Sequence, residues 1–245
     1  RGGWVLEDVP ALFSGLAVEG RVDPFEKACA EAARGCDAGL VVHDLGANLL
    51  RAALVFAPDV ELVDAMAMLP LCGVGFQNAL GALGPPEVAV HLEWAGGLRI
   101  NGASCGTLRV AASSSNPKAE PDWMVIGLEL PLWPKTDAPG DTPDQTALYA
   151  EGCADVNAME LLESWVKHTL VGINTWTEDG VKALHKDWRG LSPGIGEDIT
   201  MNEISGTLLG VDEQFGMLIR AADTTHLVTL AYLLAGTIYY TIRRI

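Results

Sequence analysis

The chain has 245 residues, 49% of them hydrophobic, and a net charge of −16. That length suits one large domain, or one domain with a small companion. The acidity argues against nucleic acid as a partner, because phosphate binding needs clustered Lys and Arg.

Leu12–Val18 reads as a first extended strand after Pro10. Asp23-Pro24 then starts a helix, since an aspartate caps free backbone N–H groups and proline suits the first turn. The helix is expected to run to about Arg34 and to stop at Gly35. Asp37–Asp44 and Leu49–Ala57 read as two strands joined at Leu45-Gly46-Ala47-Asn48. Val60–Leu83 has Leu62, Met66, Leu69, Val74, Phe76 and Leu80 at the spacing of a buried helix, with Pro70 as the expected kink.

The centre of the chain is Val88–Leu108. Val90 and Leu92 alternate with His91 and Glu93, which is the period of a strand, and Trp94 closes it. Ala95-Gly96-Gly97 is a turn. Leu98–Ile100 is a short strand, and Asn101-Gly102 favours a type I′ hairpin into a returning strand at Ser104–Ala111. A loop at Ser113–Pro121 leads to a second core strand near Trp123–Leu130. Leu132–Thr146 reads as an exposed connection, followed by helices at roughly Asp155–Ile173 and Glu178–Trp188. Leu161, Leu162, Trp165, Val166 and Leu170 form the apolar face of the first. Short strands around Ile199, Ser205–Glu213, Gly216–Arg220 and Thr225–Val228, separated by turn residues, have the spacing of a small barrel. Leu227–Ile242 is expected to be core strand and tail.

Elements in this order predict an α/β (α+β) fold with a mixed sheet. No apolar run is expected to reach the length of a membrane span, and the first residues do not read as a signal peptide. Cys29, Cys36, Cys72, Cys105 and Cys153 include no CxxC pair and read as buried, reduced thiols of a cytoplasmic protein. His, Cys and Asp spacings suggest no metal site. His43-Asp44 are strand neighbours that point to opposite faces, His91 reads as a structural hydrogen-bonder, and Asp212-Glu213 reads as a hairpin turn.

A strand, Trp94, a glycine turn, the Asn101-Gly102 hairpin and Gly106-Thr107-Leu108 together resemble the centre of the biotin and lipoate protein ligase superfamily. Gly46-Ala47-Asn48-Leu49 and Val125-Ile126-Gly127 resemble two further motifs, and the C-terminal strands look like the SH3-like domain of biotin protein ligases. The resemblance implies a mixed-sheet ligase-like catalytic domain over 1–190 and an SH3-like β-barrel over 191–245. It also implies an acyl-ligand and nucleotide pocket at Asn48, Arg51, Trp94, Gly96, Gly97, Arg99, Asn101, Gly102, Ser104, Gly106 and Gly127. The family's pocket lysine falls at Ala103 or Ser104, and its arginine loop has no counterpart before Gly46.

Two functions follow from the resemblance. One is an ATP- and magnesium-dependent ligase that activates biotin or lipoate and passes it to a lysine of a carrier-domain protein, with Arg51, Arg99 or Arg109 in place of the lysine. The other is a catalytically inactive module that binds a small molecule or a protein on the same fold. Both leave a homodimer open.

Overall fold

The computed structural model describes residues 10–134, 144–235 and 240–243. The alternating stretches become seven strands: β1 (Ser14–Ala17), β2 (Leu40–Leu45), β3 (Leu49–Phe56), β4 (Val90–Leu92), β5 (Gly97–Ile100), β6 (Ala103–Ala112) and β7 (Met124–Pro131). They form one mixed sheet in the order β1-β2-β3-β7-β6-β5-β4. Among the described strands only β1 and β2 pair in parallel.

Alternation sends the side chains of β3 and β7 to two different cores. Leu50, Ala52, Leu54, Ile126 and Leu128 enter the main core, whereas Ala53, Val55 and Val125 face the other way. The main core is closed by α2 (Leu62–Ala65), α3 (Met68–Leu83), α4 (Ala158–Asp179) and α5 (Val181–Leu191). Trp165 of α4 is fully buried there, and its indole N–H donates to the Cys72 carbonyl at 2.9 Å. One helix, α1 (Pro24–Ala33), packs on the opposite face. Its start follows from the expected cap: Asp23 Oδ1 accepts from the Phe25 N–H at 3.0 Å, with Pro24 in the first turn.

The long helix read over Val60–Leu83 is two helices. The break lies at Met66–Ala67 rather than at Pro70. Pro70 stands in the first turn of α3, where a missing N–H has no intrahelical acceptor to lose. Leu62–Leu83 is long and apolar enough to cross a membrane, contrary to the expectation that no run would be, but 72% of its apolar window is buried inside this fold. The helix expected from Glu178 begins at Val181, because Gly180 at φ 77° ends α4.

The C-terminal strands β8 (Asp198–Met201), β9 (Ile204–Val211), β10 (Met217–Ala221), β11 (Thr224–Val228) and β12 (Tyr240–Arg243) form an antiparallel sheet in the order β11-β10-β9-β8-β12. Leu230–Ala235, expected to be strand, is a 3-10 turn instead.

Candidate functional site

The α1 side of the sheet carries a row of polar side chains set by strand register. Asp44 on β2 lies opposite Arg51 on β3, Arg51 opposite Glu129 on β7, and Glu129 opposite Thr107 on β6. Arg109 on β6 lies opposite Gly127 on β7. Each guanidinium already has a carboxylate. Arg51 Nη2 is 2.5 Å from Asp44 Oδ2 and Arg99 Nε is 2.5 Å from Glu93 Oε1. Arg109 bonds Asp23 at 2.8 Å and Glu26 at 3.0 Å.

Gly127 is where α1 meets the sheet. A Cβ at this position would lie 2.5 Å from Phe25 Cδ2, so the phenyl ring rests on bare backbone. The Arg109 guanidinium sits over that ring, 4.1 Å from its centroid, in cation–π geometry. Burial works to raise the Asp23 carboxyl, but the Arg109 hydrogen bond, the Phe25 N–H and the nearby Arg109 and Arg51 charges outweigh it and hold Asp23 below its ordinary value. Burial alone would lower Arg109; its two carboxylates raise it instead. Next to the ring opens a cleft of about 900 Å³, walled by Phe25, Thr107, Arg109, Ser113 and Leu233, among others.

The other expected pocket residues are dispersed. Trp94 is buried, and its indole N–H donates to the Phe215 carbonyl of the C-terminal sheet at 2.7 Å. Gly96 crosses β6, accepting from the Leu108 N–H at 2.7 Å, while Gly97 packs against the Glu93 side chain. Gly106 pairs with Leu98, and a Cβ there would lie 2.6 Å from the Glu129 carbonyl oxygen. Asn101 and Gly102, at φ 51° and 90°, make the tip of the hairpin. Asn101 also accepts from the Ala89 N–H and donates to Glu151. Ser104, which with Ala103 is where the resemblance puts the family's lysine, exchanges backbone hydrogen bonds with the chain's own Asp144 and Thr146 at 2.9 and 2.8 Å. Asn48 stays in the exposed β2–β3 turn, its carbonyl accepting from Leu132 at 2.8 Å. That turn is only Gly46–Asn48, with the Gly46 N–H bonded to the Leu49 carbonyl, so no longer loop stands between the strands.

Sequence reasoning expected Arg51, Arg99, Gly97 and Gly127 in the pocket and offered Arg109 as a stand-in for the lysine, without a face for any of them; strand register puts them on this one. It read Asp23 only as a cap and passed over Phe25 and Glu26. The signal it lacked was the β6–β7 register that sets Arg109 beside Gly127.

His43 is buried on the main-core face while Asp44 faces α1, as their adjacency requires. Cys105 is buried, which pushes its thiol up to about 12 and removes it as a nucleophile. Cys29 and Cys36, expected to be buried, are half-buried, and all five thiols are free. Asp212 accepts from the Gln214 and Gly216 N–H groups at 3.0 and 2.7 Å and so shapes the β9–β10 turn.

The residues present do not fit a nucleoside triphosphate with its metal. On the strands of this face Arg51, Arg99 and Arg109 each already pair with a carboxylate, from Asp44, Glu93 or Asp23 and Glu26, and Glu129 lies opposite Arg51. Among the described residues no group of three or more His, Cys, Asp or Glu is placed to hold a metal ion. Bringing a polyanion onto such a face costs more than paired cations return.

Comparison with known proteins places this arrangement. The model of the biotin/lipoate A/B protein ligase family matches residues 9–190, and a domain of unknown function, DUF4444, matches residues 195–235. No curated protein matches the chain. A biotin protein ligase-like protein of unknown function from Silicibacter sp. TM1040 is 61% identical with a TM-score of 0.88, over 92% of this chain and 98% of that one. Biotin protein ligase from Aquifex aeolicus is 16% identical with a TM-score of 0.74, over 94% of this chain and 100% of that one, and so shares the fold. The same enzyme in complex with biotin and ATP is 17% identical with a TM-score of 0.70, over 94% and 99%. On the match to its first 190 residues, this chain belongs to the biotin/lipoate A/B protein ligase family.

Proposed function

We propose that this chain is a binding protein on the ligase fold, one that takes a small carboxylic acid without activating it with ATP. The observation that carries this reading is the pairing of Arg51, Arg99 and Arg109 with carboxylates, together with a phenyl ring lying over Gly127. Adenylation brings a carboxylate against a triphosphate and needs fixed positive charge where negative charge develops. Here each of these cations is neutralised by the protein itself. Neither Ala103 nor Ser104 can supply a charge, and the chain's own Asp144–Thr146 segment lies against Ser104.

The rival reading, a biotin or lipoate ligase acting on a carrier-domain lysine with ATP and magnesium, is supported by the family match and by the Aquifex aeolicus enzyme that binds biotin and ATP on this fold. We also read the C-terminal sheet as SH3-like from its strand spacing, and the five free thiols as suited to the cytoplasm.

The experiment is acid-dependent exchange of labelled pyrophosphate into ATP with biotin, lipoate or octanoate and magnesium, run beside calorimetry of each acid alone. Binding of an acid without exchange is the expected result. Exchange that depends on one of these acids would restore the ligase reading.

A further inference from the structure

Apart from Phe25, helix α1 covers its face of the sheet with small side chains. Its buried residues are Pro24, Phe25, Ala28 and Ala32, with Cys29 half-buried beside them, and they pack on Val42, Ala53, Val55 and Val125, with Leu16, Val18, Leu40 and Trp123 at the margin. Phe25 is the one large side chain among them, so its ring makes the largest single contact. A helix of ten residues has little stability of its own. Besides the Asp23 cap and the buried Pro24, this first turn is held by one ring and by the ion pairs of Arg109 with Asp23 and Glu26.

All three of these groups belong to the same turn. If it moves, the ring over Gly127 and both counter-charges of Arg109 leave together. What remains is a flat apolar slot on bare backbone beside an unpaired guanidinium, opening on the cleft whose wall includes Phe25 and Arg109. A guanidinium is a planar fork that matches a carboxylate with two hydrogen bonds. A ligand that replaces what has left must bring a flat apolar body and a negative charge.

We propose that Phe25 is an internal competitor: a small carboxylic acid with a flat apolar body enters by displacing the first turn of α1, its body lying over Gly127 and its carboxylate taking Arg109 from Asp23 and Glu26. This rests on the acid-binding reading above and names the ligand class and the gate of that site. Phe25 then sets specificity, because the incoming group must compete with a phenyl ring of fixed size.

The test uses the full chain with phenylacetate and its neutral counterpart phenylacetamide, followed by calorimetry. Phe25→Ala is expected to bind phenylacetate at least about tenfold more tightly than the parent chain does, and about tenfold more tightly than it binds the amide. Adding Arg109→Gln should erase the preference for the acid. Equal affinity of Phe25→Ala for acid and amide would mean a cavity left by a lost ring and nothing more, and would overturn the proposal.

A folded Phe25→Ala that binds neither probe would overturn it as well. Should that variant fail to fold, Asp23→Asn/Glu26→Gln carries the test, since it keeps the ring and an asparagine cap but frees Arg109. Its preference for acid over amide must rise severalfold, and an unchanged preference sinks the idea. Acid-dependent pyrophosphate exchange by the parent chain would remove the reading without activation but leave the phenylacetate result to decide the gate.

Discussion

His43 and Asp44 are neighbours on β2 and differ in what acid does to them. His43, at 1% exposure, faces the main core, and desolvation holds its imidazole below the ordinary value despite the Asp44 charge. An unfolded histidine takes its proton near pH 6.5. The folded one resists protonation, so its contribution is complete above about pH 6.5 and is lost as the pH falls through that value toward the lower folded one. His43→Leu should remove this slope, at most about 1.4 kcal/mol per pH unit, from urea-unfolding free energies measured between pH 8 and 5. An identical slope in the variant would show that other groups govern this range. Asp23 behaves alike at lower pH. Its carboxyl is depressed, so its share of stability is present above about pH 3.9 and fades as the pH drops through its folded value. Asp23→Asn keeps the cap, so the difference between the two proteins should be largest near neutrality and close as the pH falls through the lowered folded value. The side chain is a third exposed, which keeps the effect small.

Among the elements, those announced by backbone chemistry were legible. The Asn101-Gly102 hairpin stands where that pair demands it, with φ of 51° and 90°. The start of α1 follows from Asp23-Pro24. What the sequence did not display is set by contacts between distant strands: the register that brings Arg109 to Gly127, the break at Met66–Ala67, and the pairing of each arginine on the α1 face. Gly106 shows the difference most directly. The resemblance makes it a pocket glycine, and Gly106→Asp would then close the pocket. In the fold its missing Cβ faces the Glu129 carbonyl across β6–β7, so the aspartate should act on the sheet itself. Gly106→Asp is expected to destabilise by more than about 2 kcal/mol, as steric strain inside a strand ladder does. A variant with unchanged thermal stability but lost acid binding would return Gly106 to the pocket.

At the scale of the whole molecule, the boundary proposed at 190/191 separates two sheets but not two cores. Ile199, Met201, Leu208, Met217 and Ile219 belong to the same buried cluster as Leu98, Trp165 and Trp188. The joint is Phe215. It is 1% exposed, holds φ at 61°, packs edge-on against Trp188 with centroids 5.9 Å apart, and accepts the Trp94 indole N–H through its carbonyl. A left-handed phenylalanine costs roughly 1–2 kcal/mol, which burial of its ring offsets. Trp94, at the centre of the ligase-like motif, thus anchors the C-terminal sheet, and unfolding of either part exposes the surface of the other. The chain is therefore expected to unfold in one transition, with tryptophan fluorescence and far-ultraviolet dichroism coincident in guanidinium. Phe215→Ala should cost about 3–5 kcal/mol, and Trp94→Phe about 1–3 kcal/mol through the carbonyl it leaves buried without a donor. Two separated transitions in the parent chain would mean that the C-terminal unit stands on its own core, and both variants should then shift only one of them.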